Sequence, residues 1–131
     1  MLTANQIREK ARAFETDWNS RNPDRVAAHY AGFAAAEIND SPRSEGRAAL
    51  RDLAERMMAD FPDMKVRLDD CRPAGQRALF LWTLTGTHKE TGNKVELEGW
   101  EEWILDDAGE IEQSFSRFDA EEYARQVGEG A

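Results

Sequence analysis

The chain has 131 residues, enough for one domain around a single hydrophobic core, and the expected unit is residues 1–131. Its formal net charge of −9 argues against a nucleic-acid partner, whose phosphates need a basic surface, and against an anionic membrane surface. Cys71 is the sole cysteine, so no internal disulfide can form; with two acids before it and no histidine nearby in sequence, it reads as a structural thiol. The N-terminus turns charged at once, and the longest apolar run, 78–84, is too short to span a bilayer, so a cytoplasmic protein is the expectation.

Ile7, Ala11, Phe14 and Trp18 draw one apolar stripe at helical spacing, which predicts a first helix from Thr3 to Ser20. Lys10, Glu15 and Asp17 fall on its other faces and are expected in solvent. Asn22 should cap a second helix, with Pro23 at the first helical position where its missing N–H costs nothing. That helix is expected to bury Val26, Ala27, Tyr30 and Phe33 and to end near Gly32. A short strand, Ala34 to Asp40, follows, and Ser44 is placed to cap a third helix reaching Asp60 with Leu50, Leu53, Met57 and Phe61 buried. Met64 to Leu68 alternates like a strand, and 69–76 reads as a polar connection. Leu79–His88, Val95–Leu105 and Glu110–Phe118 alternate with period two between glycine-containing turns, which predicts an antiparallel meander. Asp119 then opens a closing helix to Val127, with Gly128 ending it and a frayed tail beyond.

The element order predicts an α+β fold: a curved antiparallel sheet wrapped around N-terminal helices, forming a cone-shaped barrel with a central pocket. If Leu105 pairs with Glu110 across the last turn, Trp103 faces Glu112, Glu101 faces Ser114 and Gly99 faces Ser116. One sheet face then carries Gly99, Glu101, Trp103, Ser114, Ser116 and Phe118, the polar and aromatic mixture of a pocket. The other carries Trp100, Ile104, Ile111 and Phe115, an apolar surface that needs cover and predicts a homodimer. A slip of one residue would exchange Glu101 for Glu102 in the pocket. Phe14, Trp18, Trp82 and Trp103 are expected to wall the cavity, together with Phe118 and, at the edge of the helical stripe, His29.

Several local patterns carry a resemblance. Asn19-x-x-Asn-Pro-Asp-Arg-Val26, Asp40-Ser-Pro-Arg-Ser-Glu-Gly-Arg-Ala-Ala-Leu50, Trp82-Thr-Leu-Thr-Gly-Thr-His88 followed by Glu98-Gly-Trp100, Asp107-Ala-Gly-Glu-Ile111 and Arg117-Phe-Asp119 stand in an order similar to the nuclear transport factor 2-like superfamily, in particular its SnoaL-like branch. The resemblance implies a pocket on the concave sheet face and dimerisation through the outer one. It places Glu101 near the acid position, and Asp40 near the general-base position, of ketosteroid isomerase-like members. Asp119 resembles the closing-strand aspartate of SnoaL-like cyclases, although it also fits a helix N-cap; Asp40 equally fits a turn aspartate bonding local N–H groups. Phe14 stands where ketosteroid isomerase-like enzymes carry a tyrosine, so steroid isomerisation is not expected.

His29 reads either as a structural or as a catalytic histidine, and His88 as a solvated one. The two lie too far apart, without acids or cysteine at ligand spacing, for a metal site, and no glycine-rich phosphate loop calls for a cofactor. The expected partner is an apolar small molecule. The chain is then either a small cofactor-independent enzyme of isomerase or cyclase type acting on an apolar cyclic or carbonyl compound, or a non-catalytic ligand-binding or protein-interaction module of the same fold.

Overall fold

The first helix, α1 (Ala4–Asn19), begins with a reciprocal cap. The Thr3 hydroxyl accepts from the Gln6 N–H at 3.1 Å while the Gln6 side-chain oxygen accepts from the Thr3 N–H at 2.8 Å, which satisfies two otherwise free donors. The computed structural model describes residues 1–131. Asn22 caps α2 (Pro23–Ala27), its side chain accepting from the Asp24 N–H at 3.0 Å. This helix stops earlier than the periodicity suggests, because Tyr30 opens strand β1 (Tyr30–Ile38), which pairs in parallel with the last strand of the meander. Long-range pairing here overrides a helical pattern. Strand alternation then turns Phe33 fully outward, at 100% exposure, instead of onto a buried helix face.

Ser44 is a strand residue and not a helix cap: β2 (Ser44–Glu45) pairs with Ala35 and Ala36, and α3 (Arg47–Asp60) starts after Gly46 without a side-chain cap. β3 (Lys65–Ala74) runs through the segment expected to be a loop, with a bulge at Asp69, and returns through Gly75 (φ +64°) into β4 (Arg77–Thr87). β5 (Lys94–Leu105) and β6 (Ile111–Phe118) complete the meander. The closing helix α4 (Ala120–Glu129) passes through Gly128 and ends at Gly130, whose φ is +95°. Its tail is tied down and not frayed: Ala131 N–H donates to the Lys94 carbonyl at 2.9 Å, and Asn93 Nδ2 to the Val127 carbonyl at 2.8 Å.

The strands form one six-stranded sheet in the order β2-β1-β6-β5-β4-β3, antiparallel except where β1 lies beside β6. It curves around α1, α3 and α4, which pack against β3, β1 and β5, and stays unclosed between its β2 and β3 edges. The β3 edge is blunted from α1. Asn19 exchanges two 2.8 Å hydrogen bonds with the Val66 backbone, and Glu15, expected in solvent, accepts from the Leu68 N–H at 2.5 Å.

The β5–β6 register differs from the sequence expectation by two residues. Trp103 faces Ser114, Glu101 faces Ser116 and Gly99 faces Phe118. A shift of two keeps every side chain on its own face, so the inner set is as expected. The pairing then jumps from Ile104–Gln113 to Leu105–Ile111, leaving Glu112 as an extra residue. That bulge flips Ile111 from the outer face into the core, where it is fully buried. No helix is long and apolar enough to cross a membrane.

Candidate functional site

The interior has a filled half and a hollow half. Phe14, projecting from α1, meets the rings of His29, Phe80 and Trp103 edge-on at centroid distances of 5.3, 5.4 and 5.0 Å, and Trp103 stacks on Phe80 at 5.2 Å. Phe14 and Trp103 are fully buried and are not among the residues that line the cavity.

The hollow half is a cavity of about 280 Å³ bounded by 16 residues, 13 of them hydrophobic. This lies at the low end of small-molecule sites. Trp18 comes from α1, Leu53 and Met57 from α3, and Tyr123 from α4; the strands add Tyr30 and Ile38, Val66, Phe80 and Trp82, Leu97, and Phe118. The polar atoms converge at one place. Glu101, Ser116 opposite it on β6 and Ser114 opposite Trp103 are the polar residues, and Tyr30 brings its hydroxyl from β1.

Glu101 Oε1 accepts from Trp103 Nε1 at 2.9 Å and from the Tyr30 hydroxyl at 3.3 Å. Burial pushes the Glu101 carboxyl above its ordinary value; the donors from Trp103, Tyr30, Ser116 and Ser114 pull the other way without cancelling it. Burial, and next the charge of Glu101, push the Tyr30 hydroxyl well above its ordinary value, so it remains a donor at neutral pH. The arrangement therefore offers one desolvated carboxyl, braced on one oxygen, at the edge of an apolar space large enough for a ring. Such a carboxyl can orient a polar group and can accept or donate a proton.

The other site residues read from the sequence are dispersed. Trp18, Trp82 and Phe118 line the cavity with Glu101. Asp40 does not: its side chain is fully exposed, with Arg117 Nη1 at 3.4 Å, because the strand ends at Ile38 and Asp40 falls in the turn beyond it. Asp119 is an N-cap, accepting from the Glu122 N–H at 3.0 Å. Glu102 lies on the outer face, paired with Phe115 across the sheet and 3.6 Å from Arg77.

His29 belongs to a separate polar knot behind Phe14. Its Nε2 is 2.7 Å from Asp17 Oδ2 and its Nδ1 is 3.1 Å from Lys10 Nζ, which also donates to the His29 carbonyl at 3.0 Å. Burial, with Lys10 adding to it, holds His29 below its ordinary value, and burial pushes Lys10 down to about 8. Lys10 and Asp17 are thus half-buried, not solvated as the helical periodicity suggests. No group of three or more His, Cys, Asp or Glu side chains stands where it could hold a metal ion. A wider depression of about 450 Å³ near Phe33, Arg43 and Glu45 is open and polar and contains no buried carboxyl.

Of the aromatic cavity residues, sequence reasoning missed Tyr30, Phe80 and Tyr123. Tyr30 was hidden by its place in an apparent helix stripe. Tyr123 is signalled only by the apolar side of the short closing helix.

Comparison with known proteins bears on this geometry. The sequence pattern of the SnoaL-like domain family matches residues 11–113. A search of curated protein sequences found no match. Among solved structures, a SnoaL-like polyketide cyclase candidate from Jannaschia sp. CCS1 superposes with a TM-score of 0.87 at 12% identity, covering 100% of this chain and 99% of that one. A hypothetical protein of ketosteroid isomerase-like fold from Catenulispora acidiphila, in complex with trimethylamine, gives 0.83 at 16% identity over 92% of each chain. The epoxide hydrolase/cyclase-like enzyme SalBIII, described in pyran-ring formation of the polyether salinomycin, gives 0.83 at 14% identity, covering 93% of this chain and 97% of that one. At these identities the likeness is one of fold.

Proposed function

The chain belongs to the SnoaL-like domain family, whose fold includes polyketide cyclases and epoxide hydrolase/cyclase-like enzymes, and on that premise we propose that it binds one apolar, ring-sized compound and uses Glu101 as its proton-transfer group, in the manner of a cofactor-independent isomerase or cyclase. One observation carries the reading: the carboxyl of half-buried Glu101, raised above its ordinary value and held by Trp103 and Tyr30 on one oxygen, faces an otherwise apolar cavity. Asp40 has no part in it, since a fully exposed carboxylate gains neither desolvation nor orientation. The same fact favours a second reading, a non-catalytic ligand-binding module, because Glu101 has no second carboxylate to divide acid and base roles with.

An enolisable bicyclic ketone, 2-tetralone, separates the two. It should quench tryptophan emission saturably, and in heavy water the protein should accelerate deuterium uptake next to its carbonyl. Glu101→Gln should bind but lose the exchange. Binding without accelerated exchange leaves the binding module; no saturable binding by this or other ring compounds ends both.

We also propose that two copies pair through the outer sheet face, where Trp100 is 41% exposed beside partly exposed Ile104 and Phe115. Ile111, buried in the core, takes no part. Light scattering should report a dimer at micromolar concentration, and a monomer there would remove the proposal.

A further inference from the structure

The surroundings of Glu101 are chemically one-sided. Trp103 Nε1 can only donate, and the Tyr30 hydroxyl donates to the same oxygen. The serine hydroxyls of Ser114 and Ser116 also favour the charged form. No lysine, arginine or histidine lines the cavity, so the protein supplies neutral donors to a carboxylate but no counter-charge. A carboxylate left so in an apolar space is costly until something positive joins it. The rest of the wall suits a positive group: Trp18, Tyr30, Phe80, Trp82, Phe118 and Tyr123 are aromatic. Ring faces attract organic cations, and most strongly where water is excluded. The net charge of −9 steers cations toward the protein and anions away.

Resting on the small-molecule reading above, we propose that the ligand is a ring-bearing organic cation, an amine or quaternary ammonium compound, whose positive nitrogen sits against Glu101 Oε2 inside the aromatic wall. The hydrogen bonds from Trp103 and Tyr30 both fall on Oε1, so Oε2 takes neither, and the remaining groups that favour the charged carboxyl are the neutral hydroxyls of Ser114 and Ser116. A protonated amine would also find acceptors in the hydroxyls of Ser114 and Ser116, which line the same region. A ligand presenting a carboxylate or phosphate there would meet like charge instead.

Phenyltrimethylammonium and tert-butylbenzene test this, since they share shape and differ in charge. At pH 8, by quenching of tryptophan emission, the cation should bind at least about tenfold more tightly. Its affinity should fall as pH is lowered through the raised Glu101 range, because protonation removes the charge it pairs with. Tyr30 and Tyr123 are the other titratable groups facing the cavity, and both are held above the ordinary tyrosine value, so neither contributes to that fall. In Glu101→Gln the cation's affinity should fall at least about tenfold, to what the ring faces alone supply, and lose its pH dependence, while tert-butylbenzene affinity stays within about threefold. Equal or tighter binding of tert-butylbenzene to the unaltered protein overturns the cation proposal and leaves the cavity reading standing. A cation affinity left unchanged by Glu101→Gln, or without pH dependence in the unaltered protein, overturns it too. Binding of neither probe ends both.

Discussion

The two halves of the interior use the same kind of side chain for opposite purposes. Around Phe14, rings from α1, β1, β4 and β5 meet at centroid distances of 5.0 to 6.3 Å and bury it completely. At the other end, Trp82, Phe118 and Tyr123 touch in sequence, 6.2 and 5.9 Å apart, but face the void. The filled half makes the hollow one usable. Trp103 is locked between Phe14 and Phe80, so its Nε1 is held where Glu101 needs it, and the carboxyl is oriented before any ligand arrives.

This contrast breaks if both halves respond alike to truncation. Phe14→Ala should cost about 3–5 kcal/mol in urea denaturation, the usual range for an aromatic removed from solid core. Phe118→Ala should cost clearly less, because its ring already borders empty space, and should instead weaken ligand binding. Equal losses would mean that the cavity is packed in solution.

Gly99 sharpens the boundary between wall and sheet. A Cβ there would fall 2.7 Å from Trp82 Cη2 and 2.7 Å from the Arg117 carbonyl oxygen. Gly99→Ala should therefore cost about 1–3 kcal/mol and displace the Trp82 ring, with an altered emission spectrum. Unchanged stability and emission would show that Trp82 does not rest on the strand.

How much of this was legible follows the physics of each signal. Alternation has a period of two, so the inner set Glu101, Trp103, Ser114, Ser116 and Phe118 could be read without knowing the pairing, and an even register shift left it intact. The bulge at Glu112 could not be read, because a single extra residue leaves no mark in composition, and Ile111 changed sides through it. Tyr30 looked helical since Val26, Ala27 and Tyr30 fit a helix stripe; only pairing with β6, more than 80 positions away in the chain, makes it a strand residue. Asp40 shows the limit of resemblance, whose position along the chain did not fix burial. Asn22 and Asp119 were legible as caps because capping is local chemistry, whereas Ser44, read by the same rule, was taken up by pairing with β1.

Glu101 gives a pH-dependent test that needs no ligand. Its folded-state value is raised above the ordinary one, so over the interval between them the folded chain holds a proton that the unfolded chain has released. Stability should therefore decline as pH rises through that interval, and the penalty is complete above the folded value. Glu101→Gln cannot ionise and should gain on the unaltered protein from pH 4 upward, levelling once Glu101 is fully charged. A difference in urea midpoint that is flat from pH 4 to 8 would mean that Glu101 is not desolvated.

The smallest effects belong to the two aspartates at the rim of the fold, and they discriminate between reading a position and reading an environment. Asp119 works through the first turn of α4: its carboxylate accepts the Glu122 N–H, and Asp119→Ala should cost about 0.5–2 kcal/mol while leaving ligand affinity alone. Asp40 does less. Its carboxylate is in open solvent and its one charged neighbour, Arg117, is itself 40% exposed at the side chain, so the pair is screened by water and salt. Asp40→Asn should leave the unfolding midpoint unchanged and ligand affinity within about twofold. Loss of deuterium exchange in Asp40→Asn, with Glu101 intact, would mean that the 39–43 turn folds over the cavity when a ligand is present and brings a second carboxylate to it. Retained exchange leaves Glu101 as the one carboxyl in proton transfer.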